Sequence, residues 1–208
     1  MRKLLFVSFI AFLCCNNKEV AIPLNIAEKK VEVETKDYAN FHKEALAYAK
    51  SNKFNEDYYF LVDLNLHSGK NRFFIYDFKT DKVIDENLVT HGSCDQFEDN
   101  PEKWEKVKFD VRSDSHCSMS GKYKIGDRDY SSWGINVKYW IHGLENTNKT
   151  AVKRVVVLHS WNAVKNEEIY PKYSPLSWGC PAVSNEFMQK LDKRLQESKK
   201  PVLLWIID

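Results

Sequence analysis

Two residues in this chain of 208 could carry nucleophilic chemistry together: His159 and Cys180, 21 positions apart. A thiol becomes a strong nucleophile near neutral pH only with help from a base, and an imidazole at the end of a packed strand is well placed to give it. The cysteine lies in Ser177-Trp178-Gly179-Cys180-Pro181-Ala182-Val183-Ser184, a tight turn just ahead of a helix-like pattern. Gly179 removes a side chain next to the nucleophile, so a peptide carbonyl can approach the backbone there. Amide N–H groups around Gly179 and Cys180 could then receive a developing oxyanion. Ser177 would brace the turn or the imidazole. Taken singly, Cys180 reads equally well as a small buried hydrophobe and His159 as a satisfied structural group. The paired order and spacing carry the reading.

A second set, His91, Ser93, His116 and Ser118, sits at strand ends and in loops. These residues could line a groove and offer donors to a carboxylate-rich peptide, or they could be ordinary loop polarity. Trp178 stands beside the nucleophile as a further contact residue. His91-x-x-Cys94 and His116-Cys117 supply zinc-ligand types, but adjacent residues of an extended chain point apart, so no metal site is expected. In an oxidising compartment Cys94 and Cys117 could pair and leave Cys180 free; the alternative is three reduced thiols. Residues 94–114 are charged and irregular, and a loop of this length in a compact domain is often functional, here as a lid over the groove.

The elements that must position these groups are mostly strands. The apolar run Val155-Val156-Val157-Leu158 predicts a buried strand from Ala151 that delivers His159. Residues 58–66 alternate, Ser68-Gly69-Lys70-Asn71 turns, and 72–78 returns, which predicts a hairpin. A third strand follows over 82–90, a short one over 121–125, and a half-buried one over 132–142. Val202–Ile207 is apolar on both sides, as a central strand would be. Helices are predicted over 36–51, either packed on the domain or serving as a spacer, and from Ser184, a good N-cap, to Pro201. The fold class is mainly β (α+β): a curved sheet or sandwich with peripheral helices.

Composition is that of a soluble globular protein, with 43% hydrophobic and 29% charged residues. Arg2-Lys3 precede an apolar run from Leu4 to Leu13 that ends at Cys14-Cys15, too short to span a bilayer and typical of an export signal. Its terminal cysteines predict lipoprotein processing; the alternative is a simple secretory signal with incidental cysteines. The net charge of +2 belongs to this leader, since the chain beyond residue 14 is electrically balanced, and nothing suggests a nucleic-acid surface. The expected organisation is 1–15 signal peptide, 16–56 tether and N-terminal helix, and 57–208 catalytic domain.

Three segments bring a family into view: Ser115-His116-Cys117-Ser118-Met119-Ser120-Gly121-Lys122-Tyr123, then His142-Gly143-Leu144-Glu145 through Arg154 to His159, then Ser177 to Val183. The chain resembles the YkuD-type L,D-transpeptidases of bacterial cell-wall synthesis, in particular their larger murein-transpeptidase branch. Many members carry a histidine directly before Gly-Cys and an arginine two places after the cysteine, where this chain has Trp178 and Ala182. The resemblance implies a mainly β catalytic domain and a thioester mechanism on peptidoglycan stem peptides. In that mechanism Cys180 is the nucleophile and His159 the base, oriented by a backbone carbonyl such as that of Ser160. It also implies loss of a terminal D-Ala and a 3–3 cross-link, or a trimmed stem if water intervenes. No cofactor is required. The implied location is the cell envelope, on the periplasmic side, with the membrane reached only through an N-terminal lipid anchor. A non-catalytic, lipid-anchored wall-binding protein is the rival from another class.

Overall fold

Two fully buried strands form the middle of the fold, and both are nearly uniform apolar runs because neither has a solvent face. The computed structural model describes residues 36–208. In chain order the elements are α1 (Ala39–Asn52), β1 (Tyr58–Asp63), β2 (Phe73–Asp77), β3 (Lys82–Asn87), β4 (Gly121–Tyr130), β5 (Val137–Gly143), β6 (Val157–Ser160), β7 (Ala182–Val183), α2 (Asn185–Glu197) and β8 (Leu203–Ile207). They build one curved eight-stranded sheet in the order β3-β2-β1-β8-β4-β5-β6-β7. β1–β8 and β6–β7 pair in parallel, and the remaining neighbours are antiparallel. The mainly β fold expected from the sequence is the one found. The expected leader and the tether up to residue 35 lie outside the described residues.

Alternation splits the core in two. Tyr59, Leu61, Leu203, Trp205 and Ile207 face α1, which packs through Ala45 and Ala49 with Phe41 and Tyr48 beside them. Phe60, Val62, Leu204 and Ile206 face the other way, onto Phe187, Met188 and Leu191 of α2. Each helix therefore covers a face of the sheet, and α1 is packed rather than acting as a spacer. Ser184 caps α2, its Oγ accepting from the Phe187 N–H at 3.1 Å. Among the described residues no helix is long and apolar enough to cross a membrane.

Several strand boundaries differ from the sequence expectation: β3 stops at Asn87, β4 runs past 125 to Tyr130, and the starts of β5 and β6 both move. The alternation over 132–142 spans a turn as well as β5: Gly134 and Asn136 have φ of 57° and 63°, and Trp133 is left exposed on the turn. The run ahead of His159 is likewise not strand from Ala151. Residues 151–155 form a helical turn closed by Val155 N–H to Val152 O (3.0 Å) and Val156 N–H to Ala151 O (2.9 Å). That is the bond pattern of a Schellman ending, whose left-handed position usually takes glycine. Here it takes Val155, at φ 55°. Local helical bonding overrides β-propensity until Val157.

The sheet almost closes on itself. Beyond β3, Thr90 N–H donates to Ala182 O at 2.9 Å, and Ala182 N–H donates to Thr90 Oγ1 at 3.0 Å. Gly92 bridges Ser177, with Ser177 N–H to His91 O at 2.8 Å and Ser93 N–H to Ser177 O at 2.9 Å. This seam carries the segment that leads to Cys180.

Candidate active site

His159 is in register with Ala182 across the parallel β6–β7 pair, two residues past Cys180. That pairing turns residues 21 apart in sequence into neighbours, and both line one cavity of about 390 Å³. Trp133, Trp161, Trp178 and Leu176 form much of its wall. His159 is 8% exposed, and its Nδ1 stands 2.9 Å from the Ser160 carbonyl oxygen. A carbonyl only accepts, so Nδ1 carries the proton and Nε2 is the unprotonated nitrogen of the neutral ring. Burial lowers the His159 pKa, with the Ser160 bond working against it and the Lys138 charge adding to it. A neutral imidazole with a fixed tautomer can accept a proton at Nε2.

Cys180 is the free thiol among the described residues and is partly exposed. Its Sγ accepts from Val157 N–H at 3.5 Å and lies 3.7 Å from the Val155 carbonyl oxygen. Packing around the sulfur raises the thiol pKa; the Val157 N–H and the charges of Arg154 and Lys138 draw it down. Among the described residues no hydrogen bond joins this sulfur to the imidazole.

The turn around Cys180 is braced from behind. Ser177 Oγ donates to the Cys180 carbonyl at 2.7 Å and accepts from Gly179 N–H at 3.1 Å, so its role is the turn and not the imidazole. Thr90 Oγ1 donates to the same carbonyl at 2.9 Å. Gly179 has φ +103°, and a Cβ there would stand 2.5 Å from the Cys117 carbonyl oxygen. Its missing side chain therefore makes room for the protein's own backbone, a correction to the expectation that it opens a path for substrate.

The second group of residues divides. Trp178 is 72% exposed and stacks flat on His116, centroids 4.5 Å apart. His91 is buried behind the seam, Nδ1 against Arg72 Nη2 (2.9 Å) and Nε2 against the Lys103 carbonyl oxygen (2.8 Å). Ser118 is also buried, its Oγ accepting from Gly92 N–H at 3.0 Å, and Ser93 Oγ is held by Asp95. His91 and Ser118 thus support the turn without lining the cavity. Glu145 pairs with Lys122 at 3.3 Å, a structural role.

Cys94 and Cys117 form a disulfide, which consumes both thiols that a zinc set would have used. The bridge also corrects the lid expectation for 94–114. Phe109 bridges Ser118, and Val107, Phe109 and Val111 pack against the core, so the second half of the segment is anchored beside the Cys180 turn and is not a free flap. Sequence reasoning missed Trp133 and Trp161. Trp161 had a usable signal, since it follows His159 by two and strand alternation puts it on the same side.

Among solved structures, the chain is similar to an Enterococcus faecium L,D-transpeptidase mutant (13% identity, 73% of this chain and 50% of that one, TM-score 0.45). It is similar too to the Bdellovibrio bacteriovorus protein Bd1075 (17%, 76% and 49%, TM-score 0.45) and to an L,D-transpeptidase from Mycobacterium smegmatis (11%, 73% and 59%, TM-score 0.41). The chain spans about half the length of the first solved structures it matches. No curated protein matches it. The family model for the L,D-transpeptidase catalytic domain matches residues 30–205, most of the sequence. The chain belongs to the YkuD-type L,D-transpeptidase catalytic-domain family.

Proposed function

We propose that this protein is a cysteine acyltransferase acting on peptidoglycan stem peptides, with Cys180 as nucleophile and His159 as base. The observation that carries the reading is the shared cavity: its lining includes a free thiol and an imidazole whose Nδ1–H is committed to the Ser160 carbonyl. Nε2 takes the thiol proton as Sγ attacks the carbonyl ahead of the terminal D-Ala. The Cys180 N–H is the amide assigned to the oxyanion, since Gly179 N–H is occupied by Ser177. The C–N bond breaks, the imidazolium returns its proton to the departing amine, and a thioester remains on Cys180. A side-chain amine of a second stem then attacks the thioester to give a 3–3 cross-link, and water in its place gives a trimmed stem.

Exposed Trp178, and half-buried His116 stacked on it, are the groups we assign to substrate contact. The same reading makes residues 1–15 an export signal of lipoprotein type, 16–56 a tether followed by the helix α1 that packs on the catalytic region, and 57–208 that catalytic region. The protein would then act in the cell envelope.

The test is intact-mass spectrometry of the protein with a purified disaccharide-tetrapeptide, alongside Cys180→Ala. The expected result is an acyl adduct on the wild type with loss of D-Ala, and none on the variant. Dimer against tripeptide distinguishes transferase from carboxypeptidase. Normal turnover by a folded Cys180→Ala protein would end the proposal.

A further inference from the structure

Behind the nucleophile turn lies a cation that the acyl-transfer reading does not use. Arg154 ends the helical turn before β6 and is half-buried. Its Nη1 donates to the Asp110 carbonyl oxygen at 3.0 Å and its Nη2 to the Cys117 carbonyl oxygen at 2.8 Å. Both acceptors belong to the disulfide-closed segment 94–117. The same Nη2 would stand 3.1 Å from a Cβ at Gly179, the residue before the nucleophile. The guanidinium is therefore wedged between the disulfide-closed segment and the Cys180 turn.

Its backbone neighbours complete the enclosure. Val155, held left-handed, presents its carbonyl oxygen to Cys180 Sγ, and Val157 presents its N–H. A carbonyl facing sulfur favours the thiol, whereas an N–H and a nearby cation favour the thiolate. No carboxylate lies within ion-pair reach of Arg154 among the described residues; neutral carbonyls hold its fork, so its charge is not cancelled by direct pairing.

We propose that Arg154 is a positioning residue for Cys180: clamped by the Asp110 and Cys117 carbonyls, its guanidinium fixes the nucleophile turn and stabilises the thiolate from behind. The proposal rests on the reading of Cys180 as the nucleophile. The charged groups acting on the sulfur are Arg154 from the turn before β6 and Lys138 from β5, and the titratable His159 of β6 shares its cavity as a neutral ring. Lys138 is itself paired with Asp129 at 3.4 Å, which leaves Arg154 as the less compensated cation. Asp110, Asp114 and the Tyr123 hydroxyl act in turn on Arg154 and favour its charged form, against the burial that opposes it.

The test follows iodoacetamide alkylation of Cys180 against pH, read at its own peptide by mass spectrometry, in wild type, Arg154→Lys and Arg154→Gln. Glutamine removes the charge but can still donate to one carbonyl, so it preserves part of the clamp if a bare truncation fails to fold. In Arg154→Gln the half-point of alkylation should rise by about 1 pH unit, with roughly tenfold slower labelling at pH 8. In Arg154→Lys the half-point should stay within a few tenths of wild type, because the charge remains. Turnover on the tetrapeptide should show kcat falling and KM holding in Arg154→Gln. An unchanged half-point in folded Arg154→Gln, or an equal rise in both variants, overturns the proposal. Because alkylation needs no substrate, failure of the acyl-transfer reading would appear separately, as an absent adduct on a wild type whose thiol still titrates.

Discussion

Two buried histidines flank the Cys180 turn and meet opposite fates. His91 is 1% exposed and both of its ring nitrogens are engaged: Nδ1 accepts from Arg72 and Nε2–H donates to the Lys103 carbonyl. His159 is 8% exposed with one nitrogen committed, Nδ1–H to Ser160 O, and its ring lines the cavity. Burial depresses both pKa values, that of His91 to about 4. The difference is whether the protein leaves a nitrogen for something else. A ring with both nitrogens claimed is a cross-brace; a ring with one claimed is an oriented base.

The sharpest way to break this contrast is to remove each ring in turn. His159→Gln should cut turnover by about 10²–10⁴-fold, the usual span for a general acid–base group, with little change in melting temperature. His91→Leu should do the reverse: it strands a donor of Arg72 and the Lys103 carbonyl, costing about 1–3 kcal/mol in denaturant titration, while kcat per folded molecule stays near wild type. If the two variants exchange these phenotypes, the assignment of base and brace is reversed.

Acid sharpens the comparison further. The unfolded chain protonates His91 near pH 6.5, whereas the folded chain refuses the proton until about pH 4. The unfolded state therefore binds more protons across that window, and stability should decline as pH falls through it. His91→Gln should flatten this part of the stability–pH curve. In the enzyme assay the acid limb should instead belong to His159, with kcat/KM falling as its imidazole protonates, and should survive in His91→Gln. The smallest expected effect is at the Schellman ending: Val155→Gly should raise stability by about 0.5–1 kcal/mol, since left-handed backbone suits glycine, read as a small rise in melting temperature.

Much of this was legible in the sequence because it is local. The central strand at 203–207 announced itself through its two-sided apolar run, the Ser184 cap through its residue type, and the cysteine turn through its glycine and proline. The Ser160 carbonyl partner of His159 was implied by the family resemblance, and it is the partner found. Contacts made by backbone groups far apart in the chain were not legible. Nothing in Gly179 says that its missing Cβ is displaced by the Cys117 carbonyl, and nothing in His91 says that an arginine nineteen positions earlier will take its lone pair. The strand expected from Ala151 failed for a related reason: a hydrophobic run records burial, and burial is compatible with a helical turn as well as with a strand.

The near-closure of the sheet has a consequence for how the molecule fails. Cys180 hangs on the seam where β7 meets the segment beyond β3, fastened there by one threonine hydroxyl and a few amide bonds, while the β1–β8 pair lies deep between two helices. The seam joins the two ends of the sheet through isolated bonds, whereas β1 and β8 are each laddered on both sides, so the amides of Thr90, Ser93 and Ala182 should exchange with solvent well before those of β1 and β8. Warming the protein should therefore silence its chemistry at a temperature where circular dichroism still reads a fully formed sheet.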